Sequence, residues 1–357
     1  MNFSPEIETK LQRYKQFYEH PEKGQLLITI PPYTYSPPPW DGRVNHPRSG
    51  SFPFEEPEHM AENHVGFERY FASHTRDLAD DYISSVSPAY GVGLSSAFFT
   101  DATLIPGEGT SWVRPVLNEL KDMHNLYFRS NGFWVDIIRR YMKRANELWE
   151  GDFCVNFIGA FAPSDMANAI RGDDLFYDLY DYPEQVDRFL TICVDAVIAL
   201  YQELHPYIWA PDGGFCAGGL WMPGEGIFLS EDAADLCSPE VYKRFFFSQT
   251  QRLIDEIGGA YVHHHAIGWK IHGEIAKLQN LRFLEFSWDP NCPRPVDHLD
   301  ELLEQSLSVP LQIRCTLRDL KERIEQMKQG RLALMVNVDT LEEAKEAVRL
   351  VRKHSIL

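Results

Sequence analysis

An α/β fold is what this sequence predicts: a single (β/α)8 TIM-type barrel over residues 1–357, with an N-terminal helical and loop extension over residues 1–25. Three observations carry that expectation. Short β-rich runs alternate with amphipathic helical segments, the runs number eight, and no shift in composition marks a linker. A chain of 357 residues could also form two ordinary domains, and a doubly wound sheet uses the same alternating units.

From the start of the chain, Ile7, Leu11, Tyr14 and Phe17 recur at helical spacing across Glu6 to His20. Gln25–Ile30 is the first strand. Pro31-Pro32-Tyr33 and Pro37-Pro38-Pro39-Trp40 end it, because proline removes the donor that a central strand needs. That loop follows a strand's carboxyl end, so Tyr33 and Trp40 are candidate substrate-binding residues. A helix over 62–78 leads to the second strand, Asp80–Val86, which two acids open. Segment 100–126 is loop-rich, Phe133–Trp149 is a helix and Phe153–Ile158 the third strand. A helix over Tyr182–Glu203 precedes the glycine-rich Gly213–Trp221, read as a strand or loop and counted as the fourth strand. The alternation is then regular. Strands Ala260–His265, Arg282–Ser287, Leu311–Cys315 and Leu332–Val336 are interleaved with helices Pro239–Ile257, Trp269–Leu278, Val296–Ser306, Leu317–Gln329 and Leu341–Lys353.

Composition narrows the function classes. Hydrophobic residues at 44% and charged residues at 24% are globular proportions. A net charge of −18 opposes binding to nucleic acid or an anionic membrane surface. The six cysteines are scattered with no CxxC, the start lacks a basic and apolar signal, and no apolar run reaches about 18 residues. A cytoplasmic enzyme with reduced thiols is the expectation. GxGxxG, a phosphate loop and a nucleophile elbow are all missing from the sequence.

The chemistry-bearing stretch is Tyr261-Val-His263-His264-His265-Ala-Ile-Gly268, at the carboxyl end of a strand where α/β sheets place their sites. Alternation puts His263 and His265 on one face and His264 on the other. A His-x-His pair can hold a metal through ring nitrogens or orient a polar substrate; three histidines can equally be hydrogen-bonded structural groups. Glu285 and Asp289 flank the end of the next strand and are candidate acid–base partners of His265. Asp81 is a candidate general base. Cys216, among glycines that let a ligand approach the backbone, is a candidate third metal ligand beside His263 and His265. Asp212, Glu285 and Cys315 are alternatives for that place. Trp221 and Trp288 join Tyr33 and Trp40 as candidates to stack on a substrate, or they only fill the loop layer.

Four stretches in order resemble the uroporphyrinogen decarboxylase superfamily, which includes the related corrinoid- and thiol-dependent methyltransferases. They are Leu78-Ala-Asp-Asp81-Tyr-Ile, then Gly159-Ala-Phe-Ala-Pro163 with Arg171-Gly172 and Asp181-Tyr182-Pro183-Glu184, then Asp232 with Ser238-Pro239-Glu240-Val241-Tyr242, and Val262 to Gly268. Together they cover about residues 65–350. The resemblance implies a TIM-type barrel, often a homodimer, with Asp81 at the place of the family's catalytic aspartate. It also carries departures. The decarboxylases have an arginine-rich stretch after the first strand, and this chain has Pro31-Pro32-Tyr33-Thr34-Tyr35 there. Asn168 stands where they have tyrosine. The methyltransferases hold zinc with a His-x-Cys pair and a later cysteine; His265 matches the histidine, Ile267 replaces the first cysteine and none follows Cys315. A polycarboxylate substrate is disfavoured by the net charge of −18. What the resemblance then implies is transfer of a methyl group from a small methylated substrate to a thiol or to a partner protein's corrinoid, with zinc as candidate cofactor. The alternatives are a metal-free decarboxylase or a barrel that only binds.

Overall fold

The computed structural model describes residues 3–31, 56–107, 110–289 and 291–357. Nine parallel strands organise it: β1 (Leu26–Thr29), β2 (Ser85–Val86), β3 (Cys154–Val155), β4 (Ala160–Phe161), β5 (Ile227–Ser230), β6 (Ala260–His265), β7 (Leu281–Ser287), β8 (Leu311–Thr316) and β9 (Leu332–Asn337). Seven of them form one sheet in the order β1-β9-β8-β7-β6-β5-β4. β2 and β3 pair with each other, and the Asp81 N–H donates to the Ile28 carbonyl at 2.7 Å, bringing the start of that pair beside β1. The arrangement is barrel-like.

Helices pack outside because each offers one apolar stripe. Ala344, Ala347, Val348 and Val351 are the buried positions of Leu341–His354. Its start is fixed by the Thr340 hydroxyl, which accepts from the Glu343 N–H, and Leu317–Met327 starts in a Thr316/Asp319 capping box. Alternation along the strands divides the core in two. Val262, Leu284, Phe286, Ile313 and Leu334 face the helices, whereas Leu27, Tyr261, Phe283 and Ala333 belong to a separate inner cluster. One residue of β7, Arg282, has no partner on β6, where the register shifts between Ala260 and Tyr261.

The inner cluster is completed by two elements outside the parallel strands. The helix Pro5–Glu19 contributes Leu11, Tyr14 and Phe17, with Phe17 stacked on Phe283 at 5.6 Å. A tight antiparallel hairpin, Phe215–Ala217 with Leu220–Met222, contributes Cys216 and Trp221. Its tip enters the interior. Gln312 Nε2 donates to the Gly218 carbonyl at 3.0 Å and the Ile83 N–H to that of Gly219 at 2.9 Å. A Cβ on Gly218 would stand 2.7 Å from the Tyr261 hydroxyl, so this close approach requires glycine.

The fourth-strand expectation is therefore corrected. Gly213–Trp221 supplies the hairpin, and the strand that pairs with β6 is Ile227–Ser230. Paired glycines at positive φ make a hairpin turn, so the run pairs with itself. The proline-rich loop with Tyr33 and Trp40 falls outside the described residues. Among the described residues no helix is long and apolar enough to cross a membrane.

Candidate functional site

β6 puts Tyr261, His263 and His265 into the interior and His264 against the helices. His264 is fully buried: Nδ1 lies 3.2 Å from Asp235 Oδ1, and Nε2 lies 2.8 Å from Nδ1 of His272. His272 Nε2 in turn meets the Ser306 hydroxyl at 2.8 Å. Burial pulls the His264 pKa down to about 3, so this outward histidine is a neutral structural group.

The inward pair is built differently. His263 Nδ1 meets Glu285 Oε2 at 2.8 Å and His265 Nδ1 meets Asp289 Oδ1 at 2.6 Å. Each carboxylate favours a proton on Nδ1, which leaves the Nε2 atoms as the reactive ones. Those two Nε2 atoms are 3.1 Å apart. Asp232, from the loop after β5, brings its Oδ1 to 3.7 Å from His263 Nε2 and 3.5 Å from His265 Nε2. That oxygen is buried and has no hydrogen-bond partner at bonding distance. Asp232, His263 and His265 are thus a group of three that could hold a metal ion, their ligand atoms within 4.8 Å of one another.

The charges support one another. The negative charge of Asp232 beside its ring, with further help from Asp289, raises the His265 pKa to about 9 despite burial. Burial pulls His263 down, yet Glu285 and Asp232 outweigh it and the net shift is upward. Burial pushes Glu285 up, but the His263 charge and the Tyr261 hydroxyl hold it down at about 2. Two facing imidazoles with Nδ1 protonated need either a shared proton or a cation between them. In tetrahedral zinc sites the ligand atoms stand roughly 3.3 Å apart. The three separations here, 3.1, 3.5 and 3.7 Å, fit such an ion. Two nitrogens and one carboxylate oxygen suit zinc or another first-row ion.

Two further acids fix this geometry. Asp165 accepts from the backbone N–H groups of Asp232, at 3.0 Å, and Ala233. Asp235 Oδ2 accepts from the His265 N–H at 2.7 Å and ties the end of β6 to the turn that carries Asp232. Gly268 makes room for it: a Cβ there would sit 1.6 Å from Asp235 Oδ1.

The structure brings together His263, His265, Glu285 and Asp289, and leaves other expected residues elsewhere. Asp81 is fully buried, and its carboxylate accepts from the Ile28 N–H, from Arg13 Nε and from both terminal nitrogens of Arg352, all at 2.8–2.9 Å. Arg352 lies in the last turn of the helix that runs back from β9, so this cluster is at the strands' amino ends, and Asp81, expected as a general base, does not join the histidines. Cys216, expected as a third metal ligand, does not join the histidines either. It is buried in the inner hairpin beside Cys154, burial raises its pKa, and Asp232 stands with the histidines in its place. Trp221 is buried in that hairpin with its indole N–H on the Pro211 carbonyl at 2.9 Å. Trp288 is half exposed beside Asp289. Cys315 is in the outer core, and Asp212 pairs with Lys15. Asp232 was legible only as part of the family resemblance. The missed signal is Gly226-Ile-Phe-Leu-Ser230-Glu231-Asp232, a glycine-bounded β-rich run ending in two acids.

Fold and site define an α/β protein of barrel-like build with a histidine–carboxylate cluster at the carboxyl ends of its parallel strands. No family model matches the chain, and no curated protein does. Among solved structures it is similar to a methyltransferase from Methanosarcina mazei, with a TM-score of 0.63 and 13% sequence identity over 99% of each chain. That likeness is one of fold.

Proposed function

We propose that the chain is a methyltransferase of the uroporphyrinogen decarboxylase-like type, a closed barrel that moves a methyl group from a small methylated substrate to a thiol or to a corrinoid carried on a partner protein. The observation that carries this reading is the convergence of His263 Nε2, His265 Nε2 and Asp232 Oδ1, which has no hydrogen-bond partner, on one point. The full-length fold likeness to a methyltransferase supports it. Asp232, His263 and His265 would hold zinc, leaving a coordination position open. Bound there, zinc supplies Lewis acidity that keeps a thiol as thiolate near neutral pH. Glu285 and Asp289 hold the imidazoles in the ligating tautomer, and Tyr261 fixes Glu285 through its hydroxyl at 2.8 Å. A cytoplasmic homodimer is part of the same reading.

One observation favours a second reading. The His265 pKa of about 9 and the 3.1 Å contact to His263 also describe a pair that shares a proton. Such a pair, with Glu285 and Asp289, could serve metal-free acid–base chemistry such as decarboxylation. Elemental analysis of gently purified protein beside the His265→Ala variant separates the two. About one zinc per chain, lost in the variant, supports the first reading, and methylated substrates are then assayed with thiol and corrinoid acceptors. No metal in either protein, and none taken up on titration, leaves the second.

A further inference from the structure

Asp232 has a second neighbourhood. Beside the histidine cluster a cleft of about 420 Å³ opens between the Asp232 loop and the segment that leads from β2 towards β3. Val92, Trp112, Phe161 and Leu236 give it apolar walls, with Asp173 and Asp232 among its polar groups. Trp112 and Leu236, 59% and 60% exposed, line this one cleft with Val92 and Phe161, so that their apolar surface is gathered in one place. Among the described residues the lining contains no Lys, Arg or His. Arg114, between two lining residues, is exposed and does not line the cleft. Among the described residues of the lining an anion would find no counter-charge. A cation would find the acidic side chains of Asp165, Asp173 and Asp232 and the indole of Trp112, in a chain of net charge −18.

We propose that this cleft is the subsite for an organic cation, an N-methylated ammonium group whose methyl carbon faces Asp232, the residue that the cleft shares with the histidine cluster. Naming the cation as methyl donor rests on the methyl-transfer reading; the binding does not. In the transfer step the acceptor's lone pair forms the new bond to the methyl carbon. The C–N bond pair returns to nitrogen, and a neutral tertiary amine leaves. No proton or oxidant is consumed. A departing neutral amine also suits a cleft whose described lining has no basic residue to stabilise a departing anion.

The test is calorimetric titration of the full chain with choline, with its uncharged carbon isostere 3,3-dimethylbutan-1-ol, and with the similarly sized anion pivalate. Choline is expected to bind at least about 10-fold tighter than the isostere, and pivalate not to bind. Trp112→Leu is expected to weaken choline by about 2- to 30-fold, the range of a cation–π contact. Asp173→Asn should weaken it too, with isostere affinity and melting temperature unchanged in both variants. Equal binding of choline and isostere, binding of pivalate, or no binding of choline would each overturn the proposal. If choline binds but gives up no methyl group to any acceptor, the cleft stands and the methyl-transfer reading fails. If neutral donors are demethylated while choline does not bind, the cleft assignment fails alone.

Discussion

Asp81 and Asp232 are both acids at the end of a parallel strand, and the two ends of the molecule use them in opposite ways. At the amino end Asp81 is saturated, with two arginines and a backbone N–H filling its acceptor sites. At the carboxyl end one oxygen of Asp232 is buried and lacks a hydrogen-bond partner. A carboxylate that is fully paired has no capacity left for a ligand, so burial alone does not mark a site. Unfilled acceptor capacity facing other ligand atoms does. The rest of each end agrees. The amino end is filled by the first helix and the inner hairpin, whereas the carboxyl end gathers partly exposed imidazoles and acids.

The largest effect expected from this contrast is on stability. Asp81→Ala strands Arg13 and Arg352 and should cost about 3–5 kcal/mol in urea unfolding, while folded protein keeps its metal content. A variant that stays stable but loses activity would move Asp81 back into the site. Next comes Glu68, packed near Tyr82 at the second strand, whose pKa burial raises from 4.5 to about 7. Its contribution is fully present below pH 4.5 and is lost as pH rises through 7, because the folded state resists ionising it. Glu68→Gln should remove that decline, a gain on the order of 2–3 kcal/mol at pH 8 relative to pH 4. Parallel stability–pH curves for the two proteins would contradict it.

Smaller effects belong to the carboxyl end. Glu285→Gln weakens the group that orients His263 and should lower zinc affinity by about 10- to 100-fold, measured by chelator competition. Unchanged affinity would mean that His263 is not a ligand. Cys216→Ala should cost about 1 kcal/mol and leave zinc stoichiometry as it was. Loss of the metal in that variant would restore the cysteine to the ligand set and undo the contrast between the two ends.

Much of the fold was legible because period-2 and helical patterns report burial directly. The strands from Ala260 onward stand within a residue or two of their expected places. The alternation rule also separated His264 from His263 and His265, and adjacency in sequence put Glu285 and Asp289 near the pair. What sequence did not disclose depends on partners distant in the chain. Arg13 and Arg352 meet Asp81 across 68 and 271 residues, and nothing local announces that its carboxylate is occupied. Asp232 reaches the histidines only because β5 pairs with β6, a pairing hidden while Gly213–Trp221 was counted as the fourth strand.

The unpaired Arg282 acts on the sheet much as a spacer acts on a reading frame. With regular pairing from Ala260 and Leu281 onward, Glu285 would stand opposite His264; the offset at Arg282 puts it opposite His263. Deleting Arg282 would leave that frame intact. Inserting one residue after it would move Glu285 to the outer face, and a chain with every original side chain still present would carry a different trio of neighbours around its histidines.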